Sequence, residues 1–322
     1  MRWQDRDGHI LGDLYFIGNG VMARRQIYQR HWPGALTPRA MERRLAKLKA
    51  EGYIDWPTPK QRRTKPIPDG ESLIWLGWKG ILYIAKRLGV EIAPPRSINE
   101  NQLRELEKRL RENHIRWLRE PKFLTLDHDL KVIDCFIAFE RSVAELPRLT
   151  IETWLPEGYF YTPISDQVDT VAYHYWDQNG NRKQDRKGVV PDFFVQITDQ
   201  ERKINGDPHR GRFLFEIDMA NHTTKKFARE RAAPGAAYIR TSKRYKKRFG
   251  FNSGSWLIFT TSNDRMNNLL QETAKTLGPD ARYFFFTTFD RLNANLFSDA
   301  IWRRPGRREP WALLPPAQPH LN

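Results

Sequence analysis

Two short stretches decide the fold of the second half of this chain: Val189-Val190-Pro191-Asp192-Phe193-Phe194-Val195-Gln196-Ile197 and Arg212-Phe213-Leu214-Phe215-Glu216-Ile217-Asp218. Both are mostly apolar runs rich in Phe, Val and Ile, which is typical of buried strands. An acidic residue lies early in the first run, and two acidic residues lie at the end of the second. If the strands are neighbours in one sheet, Asp192, Glu216 and Asp218 meet at one edge of it.

Three carboxylates at one edge predict a metal site. Side chains two apart on a strand point the same way, so Glu216 and Asp218 share a face, whereas Phe215 and Ile217 point to the other. Crowded negative charges are costly in a core without a cation. Mg²⁺, or Mn²⁺ in its place, is the natural partner because it takes carboxylate oxygens and bridges to phosphate. The alternative is that the acids merely end their strands.

A strongly basic segment follows the second strand. Residues 222–248 are predicted to form a helix, interrupted at Pro234-Gly235, that would neutralise DNA phosphates beside the carboxylates. Tyr238 and Tyr245 are expected to be packing residues. The predicted DNA contacts in this segment are Arg229, Lys243, Arg244, Lys246 and Lys247.

The sequence around these strands alternates between helical and extended patterns. The order αβββαβαβ predicts an α/β (α+β) domain, residues 126–304, in which helices flank a mixed sheet. Residues 305–322, with several prolines, are expected to be an extended tail. The other predicted elements are a helix over 127–145, strands over 149–154, 256–261 and 283–287, a helix over 264–277 and a polar loop over 177–188.

Residues 91–125 are predicted to connect two domains. A Pro-containing linker, 91–99, precedes a charged helix, 100–120, whose apolar positions are spaced as in a short coiled coil. This stripe predicts either a homodimer, which would suit a DNA target with two half-sites, or packing on its own chain. The apolar positions are Leu103, Leu106, Leu110 and Trp117.

Residues 1–90 carry the pattern of a winged helix-turn-helix. The third predicted helix begins at Thr37-Pro38, a capping residue followed by Pro at the first helical position. Two strands joined by a basic, Pro-rich tip then form a hairpin, the wing. The remaining predicted elements are helices over 6–17, 21–31 and 80–88 and strands over 53–56 and 72–78.

The third helix of this domain carries its main signal. Met41, Leu45 and Leu48 form an inward stripe, so basic residues off the stripe would face the major groove, and the wing would contact the backbone or minor groove. These residues either read guanine edges or bind phosphate only; an ordinary solvated helix face is the alternative. The predicted contacts are Arg39, Arg43, Arg44 and Lys47 on the helix and Lys60, Arg62, Arg63 and Lys65 at the tip.

Composition narrows the class of partner. The 322 residues carry a formal net charge of +16, concentrated in residues 1–96 and 220–248, and such a field attracts polyanions. No apolar run is long enough to span a membrane, and no signal peptide is apparent. Cys135, the single cysteine, is expected to be buried. We therefore expect a cytoplasmic protein whose partner is double-stranded DNA and not a membrane.

The strand order and the acidic motif resemble the PD-(D/E)XK nuclease fold. The resemblance implies that Asp192 and Glu216 hold Mg²⁺, that Asp218 extends the metal shell, and that Glu140 on the preceding helix supplies an upstream acid. Asp218 stands where that fold has a Lys, which normally orients the attacking water or stabilises transition-state charge. The candidates for the missing cation are Lys225, Lys226 and Arg229.

Five short motifs are spread along the chain: Leu76-Gly77-Trp78-Lys79-Gly80, Asp127-His128-Asp129-Leu130-Lys131-Val132, Pro191-Asp192, Phe215-Glu216-Ile217-Asp218 and Ile301-Trp302-Arg303. Together they resemble the replication-relaxation family of plasmid and integrative-element proteins. The resemblance spans nearly all of the chain and implies a DNA transaction of mobile elements.

Three functions are compatible with these features. The first is a DNA-binding protein that nicks or cuts DNA with Mg²⁺. The second is a non-catalytic regulator, or a replication or conjugation accessory protein, built on an inactive nuclease fold. The third is a subunit of a transposition or conjugation complex that cuts only with its partners present.

Overall fold

The computed structural model describes residues 2–68, 71–161, 168–176, 181–204, 206–241, 243–251 and 253–314. The chain divides into two compact units, Met1–Asp134 and Cys135–Asn322. The structure contains both helices and sheets, which confirms the predicted α+β class. The division falls within a helix, α7 (Leu126–Ala144), and the domain bounds inferred from the sequence stay predictions.

The first unit is built from short strands and helices. Besides the first part of α7, it contains α1 (Asp5–Phe16), β1 (Val21–Ala23), α2 (Arg24–His31), α3 (Arg39–Ala50), β2 (Ile54–Asp55), α4 (Pro59–Thr64), β3 (Leu73–Leu76), α5 (Trp78–Arg87) and α6 (Glu100–Glu112). The three strands form an antiparallel sheet in the order β1-β3-β2.

The prediction of one helix over 21–31 was wrong for its first three residues. Val21, Met22 and Ala23 are buried and pair with the strand that ends at Leu76. Pairing satisfies the backbone groups of both strands, which periodicity within 21–31 could not reveal. The helix α2 then begins at Arg24, and the side chain of Gln26 accepts a hydrogen bond of 2.9 Å from the amide of Ala23.

The predicted dimer stripe is used inside the first unit. The helix α6 ends at Glu112 instead of continuing to 120, and Leu106 and Leu110 are fully buried. Trp117, beyond the helix, is buried and donates a hydrogen bond of 3.0 Å to the carbonyl of Leu76. The stripe thus packs at least partly on its own chain, the alternative interpretation, and a homodimer through the 100–120 helix stays a prediction.

The main sheet of the second unit and its helices follow the predicted element order, but two further strands, Thr170–Trp176 and Arg182–Gly188, lie between the first and second predicted strands, and the latter occupies part of the predicted loop 177–188. After the end of α7 it contains β4 (Leu149–Pro156), β5 (Thr170–Trp176), β6 (Arg182–Gly188), β7 (Phe193–Ile204), β8 (Asp207–Asp218), α8 (Thr224–Phe227), α9 (Ala233–Thr241), α10 (Lys243–Phe249), β9 (Ser255–Thr260), α11 (Asn263–Leu277) and β10 (Phe284–Thr288). Its main sheet has the order β10-β9-β8-β7-β4. The strands β4, β7 and β8 pair antiparallel, whereas β8, β9 and β10 pair parallel, so the sheet is mixed as predicted.

The two faces of this sheet differ in chemistry. On one face, Phe215 stacks on Phe193 and meets Phe139 of α7 edge to face. On the other, Leu214 and Ile258 pack in a core with the helices α8, α9 and α11. Because side chains alternate along a strand, Glu216 and Asp218 share the second face with Leu214. Cys135 is fully buried, as expected.

The basic segment is less regular than the single interrupted helix that was predicted. A π-helical turn, Ala228–Ala232, separates α8 from α9. The pair Pro234-Gly235 lies inside α9 and does not interrupt it. Gly235 allows a close approach, since a Cβ there would lie 2.9 Å from the ring of Trp256, whose Nε1 donates to the carbonyl of Gly235. Tyr238 and Tyr245 are fully buried, which confirms their packing role.

The beginning of the predicted C-terminal tail packs back on the second unit. Trp302 and Trp311 form an antiparallel bridge, and Leu314 is buried and donates from its amide to the carbonyl of Phe297. Residues 315–322 of the predicted tail lie outside the described residues.

Candidate nucleic-acid interface and carboxylate cluster

The helix α3 has one apolar side and one basic side. Met41, Leu45 and Leu48 are at most 2% exposed, as their spacing predicted. The basic residues Arg39, Arg43 and Lys47 follow each other at intervals of four and are exposed. Residues four apart lie on the same side of a helix, so these three present a row of positive charge to solvent.

Arg44 does not belong to this row. Its Nε donates a hydrogen bond of 2.6 Å to Oδ1 of Asp7 on α1, and its Nη2 bonds to Oδ2 of the same carboxylate. Asp7 is fully buried and Arg44 is 8% exposed. The expectation that Arg44 lies on the outer face was wrong because a buried carboxylate on a neighbouring helix needs a cation, and Arg44 supplies it.

The basic residues predicted at the wing tip lie between β2 and β3, but mostly in a short helix. The helix α4 begins with Pro59 at its first position, and the hydroxyl of Thr58 accepts a hydrogen bond of 3.2 Å from the amide of Gln61. The sequence predicted a basic, Pro-rich tip here but no helix. The four predicted contacts, Lys60, Arg62, Arg63 and Lys65, are all exposed.

Asp192 and Glu216 lie side by side, as predicted. Phe193 pairs with Phe215 across β7 and β8, which puts the residues just beyond this pair next to each other. The amide of Asp192 donates to the carbonyl of Phe215 (2.9 Å), and the amide of Ile217 donates to Oδ2 of Asp192 (2.6 Å). Asp192 and Glu216 are each 9% exposed, so the pair sits at a nearly closed edge of the sheet.

Both carboxylate oxygens of Asp218 accept hydrogen bonds from protein side chains. Arg265 of α11 donates two hydrogen bonds of 2.9 Å to its two carboxylate oxygens, and the hydroxyl of Thr260 donates a third, of 2.6 Å. Bidentate guanidinium–carboxylate pairs are among the strong polar contacts of proteins. The geometry therefore gives Asp218 an ion pair with Arg265, and its place in a metal shell stays a prediction.

The four predicted metal ligands do not form a preformed site. Glu140 lies on α7, whose Phe139 packs on the face of β8 opposite to Glu216. Arg231 contacts Glu216, with 3.3 Å between Nε and Oε1. Within the described ranges, no three His, Cys, Asp or Glu side chains are grouped so that they could hold a metal ion. In this arrangement the predicted ligands do not form a site that fits Mg²⁺ or Mn²⁺. Binding of either ion by this protein stays a prediction.

The cation beside Glu216 differs from those predicted. Lys225 and Lys226 are exposed on α8, and Arg229 pairs with Glu230 at 2.6 Å. Arg231, in the π-helical turn, reaches the carboxylate instead. Such turns shift the direction of side chains and are frequent at functional sites. The basic composition of 222–248 marked this region, but the extra residue that aims Arg231 at Glu216 gives no signal in the sequence.

Arg265 was also not predicted, although the order of strands and helices could have indicated its position. Asp218 ends β8, and the parallel neighbour β9 ends at Thr260, directly opposite. A helix that follows a parallel strand begins at the same edge of the sheet, so the first turn of α11 had to lie beside Asp218. The predicted cations Lys225, Lys226 and Arg229 all follow β8, whereas Arg265 follows β9.

The helix α10 presents most of its charge to solvent. Tyr245 is buried and Arg248 is half-buried, where its Nε lies 2.8 Å from Oδ2 of Asp169. Tyr245 donates a hydrogen bond of 2.9 Å to the carbonyl of Ser253. These contacts fix the inner side of the helix. The four predicted DNA contacts, Lys243, Arg244, Lys246 and Lys247, are exposed.

Both units thus belong to a basic α+β protein with cationic helices on its surface and a carboxylate pair at one sheet edge. A family model described as replication-relaxation matches residues 17–254, nearly three quarters of the chain, and the chain belongs to that family. This membership indicates a role in the replication or relaxation of plasmid or mobile-element DNA. No curated protein and no solved structure matches the chain. In the part of the chain that the structure describes, no helix is long and apolar enough to cross a membrane.

Proposed function

We propose that this protein binds duplex DNA through basic helices and serves as a non-catalytic accessory or regulatory protein of plasmid or mobile-element replication. The observation that carries the proposal is the exposed row Arg39, Arg43 and Lys47 on α3. Each cation that meets a phosphate releases a condensed counterion, which is a large part of the free energy of DNA binding.

The arrangement of the first unit supports a winged helix-turn-helix. The helices α1, α2 and α3 precede the hairpin of β2 and β3, and the basic residues between these strands are exposed. In helix-turn-helix proteins the recognition helix lies in the major groove. The exposed row on α3 would then follow the groove, and α4 would contact the sugar-phosphate backbone.

The contacts that the three carboxylates make with protein groups favour a non-catalytic role in DNA binding. Asp218 is held by Arg265, Glu216 contacts Arg231, and the start of β7 is fixed by hydrogen bonds of Asp192. Each negative charge has a protein partner that stabilises the fold without a metal. In this function the second unit holds DNA through α10 and does not cut it.

The first test measures binding of the full chain to a short duplex of arbitrary sequence at several salt concentrations. The test variant carries Arg39→Ala, Arg43→Ala and Lys47→Ala. Each lost phosphate contact lowers the slope of log K against log salt by about 1, so we expect a slope lower by about 3. The control carries Lys86→Ala and Arg87→Ala, two exposed cations of α5. If both variants bind like the wild type, α3 is not a DNA-binding helix.

Metal-dependent cutting is the second candidate, and the neighbouring positions of Asp192 and Glu216 favour it. The test incubates supercoiled plasmid with the wild type in Mg²⁺ or Mn²⁺ and compares Glu216→Gln with Glu272→Gln, a carboxylate of α11 placed outside the cluster. Nicking that only Glu216→Gln abolishes would establish a nuclease and overturn the non-catalytic proposal. Binding without nicking supports an accessory role.

A further inference from the structure

The second unit contains a separate two-stranded ribbon formed by β5 and β6. Part of it, β6, lies in the segment 177–188 that was predicted to be a polar loop. Here β5 and β6 pair antiparallel from Thr170 opposite Gly188 to Trp176 opposite Arg182. Val171 and Tyr173 are buried in the core that also contains Ala236 of α9. One face of the ribbon is therefore anchored on the second unit.

The other face of the ribbon is basic and exposed. Opposed residues of an antiparallel pair lie on the same side of a sheet, and sides alternate along each strand. Ala172 and its partner Arg186 therefore point away from the buried face, as does Arg182 four residues earlier, and all three are exposed. Ala172 is too small to cover the guanidinium of Arg186.

Among the residues that the structure describes, no carboxylate forms an ion pair with these two arginines. Asp185 lies on the anchored side, where the hydroxyl of Tyr173 donates to it. Among the described residues, neither Arg182 nor Arg186 forms an ion pair. Two exposed guanidinium groups on one face of the ribbon thus present positive charge to a ligand.

The ribbon also adjoins the basic segment beside the carboxylates. Glu230 accepts from Lys187 of β6 at 3.1 Å and from Arg229 at 2.6 Å. The guanidinium of Arg229 lies 5.7 Å from the ring centre of Tyr175 on β5. Lys187 and Tyr175 lie on the anchored side of the ribbon, so these contacts place the basic segment beside that side, where Lys226 and Arg229 are exposed. We call Arg182, Arg186, Lys226 and Arg229 the ribbon strip.

From this arrangement we infer that the ribbon strip is a DNA-binding element, which contacts the phosphate backbone of duplex DNA. The inference rests on the proposed function and adds to it a site that neither α3 nor α10 provides. Arg182 and Arg186 are four residues apart on a strand, so their Cα atoms are separated by ~13 Å. The major groove is about 12 Å wide and admits a two-stranded ribbon.

Contacts of this kind position DNA without reading its sequence. Two arginines on one face of the ribbon suit phosphates on the two sides of a groove, while Lys226 and Arg229 add positive charge on the neighbouring basic segment. The ribbon strip would therefore determine how DNA lies across the second unit.

The test uses the full chain with Arg182→Ala and Arg186→Ala and the same duplex of arbitrary sequence. We expect the salt slope to fall by about 2, one for each lost phosphate contact. The matched control is Arg307→Ala with Arg308→Ala, which removes two exposed arginines elsewhere in this unit. An unchanged slope in the ribbon variant, or an equal decrease in the control, overturns the inference.

A second variant increases the net positive charge at the ribbon strip instead of lowering it. Glu230→Gln removes the carboxylate that neutralises Lys187 and Arg229, and we expect binding to tighten severalfold. Unaltered or weaker binding by this folded variant argues against the inference. The α3 variant separates the two proposals: if it weakens binding while both strip variants match the wild type, only the ribbon inference fails.

Discussion

Arg265 and Asp218 form a bidentate ion pair at the edge of the sheet, with both hydrogen bonds 2.9 Å long. Asp218 ends β8, on the strand that also carries Glu216. Because Arg265 supplies a positive charge from another helix, the local charge is balanced within the protein. The pair thus explains how the second unit tolerates a third acid beside Asp192 and Glu216.

Removal of this guanidinium should destabilise the second unit strongly. In Arg265→Met, the 7% exposed Asp218 would keep its charge without a cation, and breaking such a pair costs about 3–5 kcal/mol. Urea denaturation followed by circular dichroism measures the loss. The control is Arg291→Met, which removes an arginine that is 56% exposed. Equal losses in the two variants would contradict a structural role for the pair.

A second buried pair should stabilise the first unit. Asp7→Asn leaves Arg44 without its anionic partner, and we expect a loss of free energy of unfolding of about 3–5 kcal/mol. The double variant Asp7→Leu with Arg44→Met should recover much of this loss, since apolar replacements of buried pairs are often tolerated. Asp5→Asn, an exposed acid of the same helix, is the control. A double variant less stable than the single one would speak against this reading.

These pairs also show where reasoning from the sequence ends. Periodicity identified the inward stripe of α3, the two Phe-rich strands and the meeting of Asp192 with Glu216, because each depends on local spacing. It misplaced Arg44, since the carboxylate that attracts it is 37 residues away on another helix. The strand β6 of the ribbon (Arg182–Gly188) was not predicted, because it is mostly exposed and lacks the apolar alternation that predicts strands.

Leu110 separates packing within the chain from dimerisation. Leu110→Ala removes a fully buried side chain from the first unit, and such substitutions cost about 2–5 kcal/mol. We expect this loss in denaturation experiments and no change in the sedimentation of the native protein. The exposed Ile98→Ala is the control and should be nearly neutral. A protein that is dimeric as wild type and monomeric as Leu110→Ala would instead support the coiled-coil interpretation.

Glu230 should make the stability of the second unit depend on acid pH. Hydrogen bonds from Arg229 and then Lys187 lower the pKa of this carboxyl from its usual value near 4.5 to about 2. Since the pKa is lower in the folded state, the paired carboxylate stabilises the fold above pH 4.5, and this contribution is lost as the pH falls from 4.5 toward 2.

The variant Glu230→Gln has no carboxylate to protonate and should lack this contribution. We expect it to unfold at lower urea concentration than the wild type at neutral pH, with a difference that narrows as the pH falls from 4.5 toward 2. Because the side chain of Glu230 is 26% exposed, solvent screening reduces the effect, and measurements at low salt resolve it best. Glu309→Gln, an exposed carboxylate, is the control. A difference between Glu230→Gln and the wild type that stays constant over this pH range would show that titration of Glu230 is not its source.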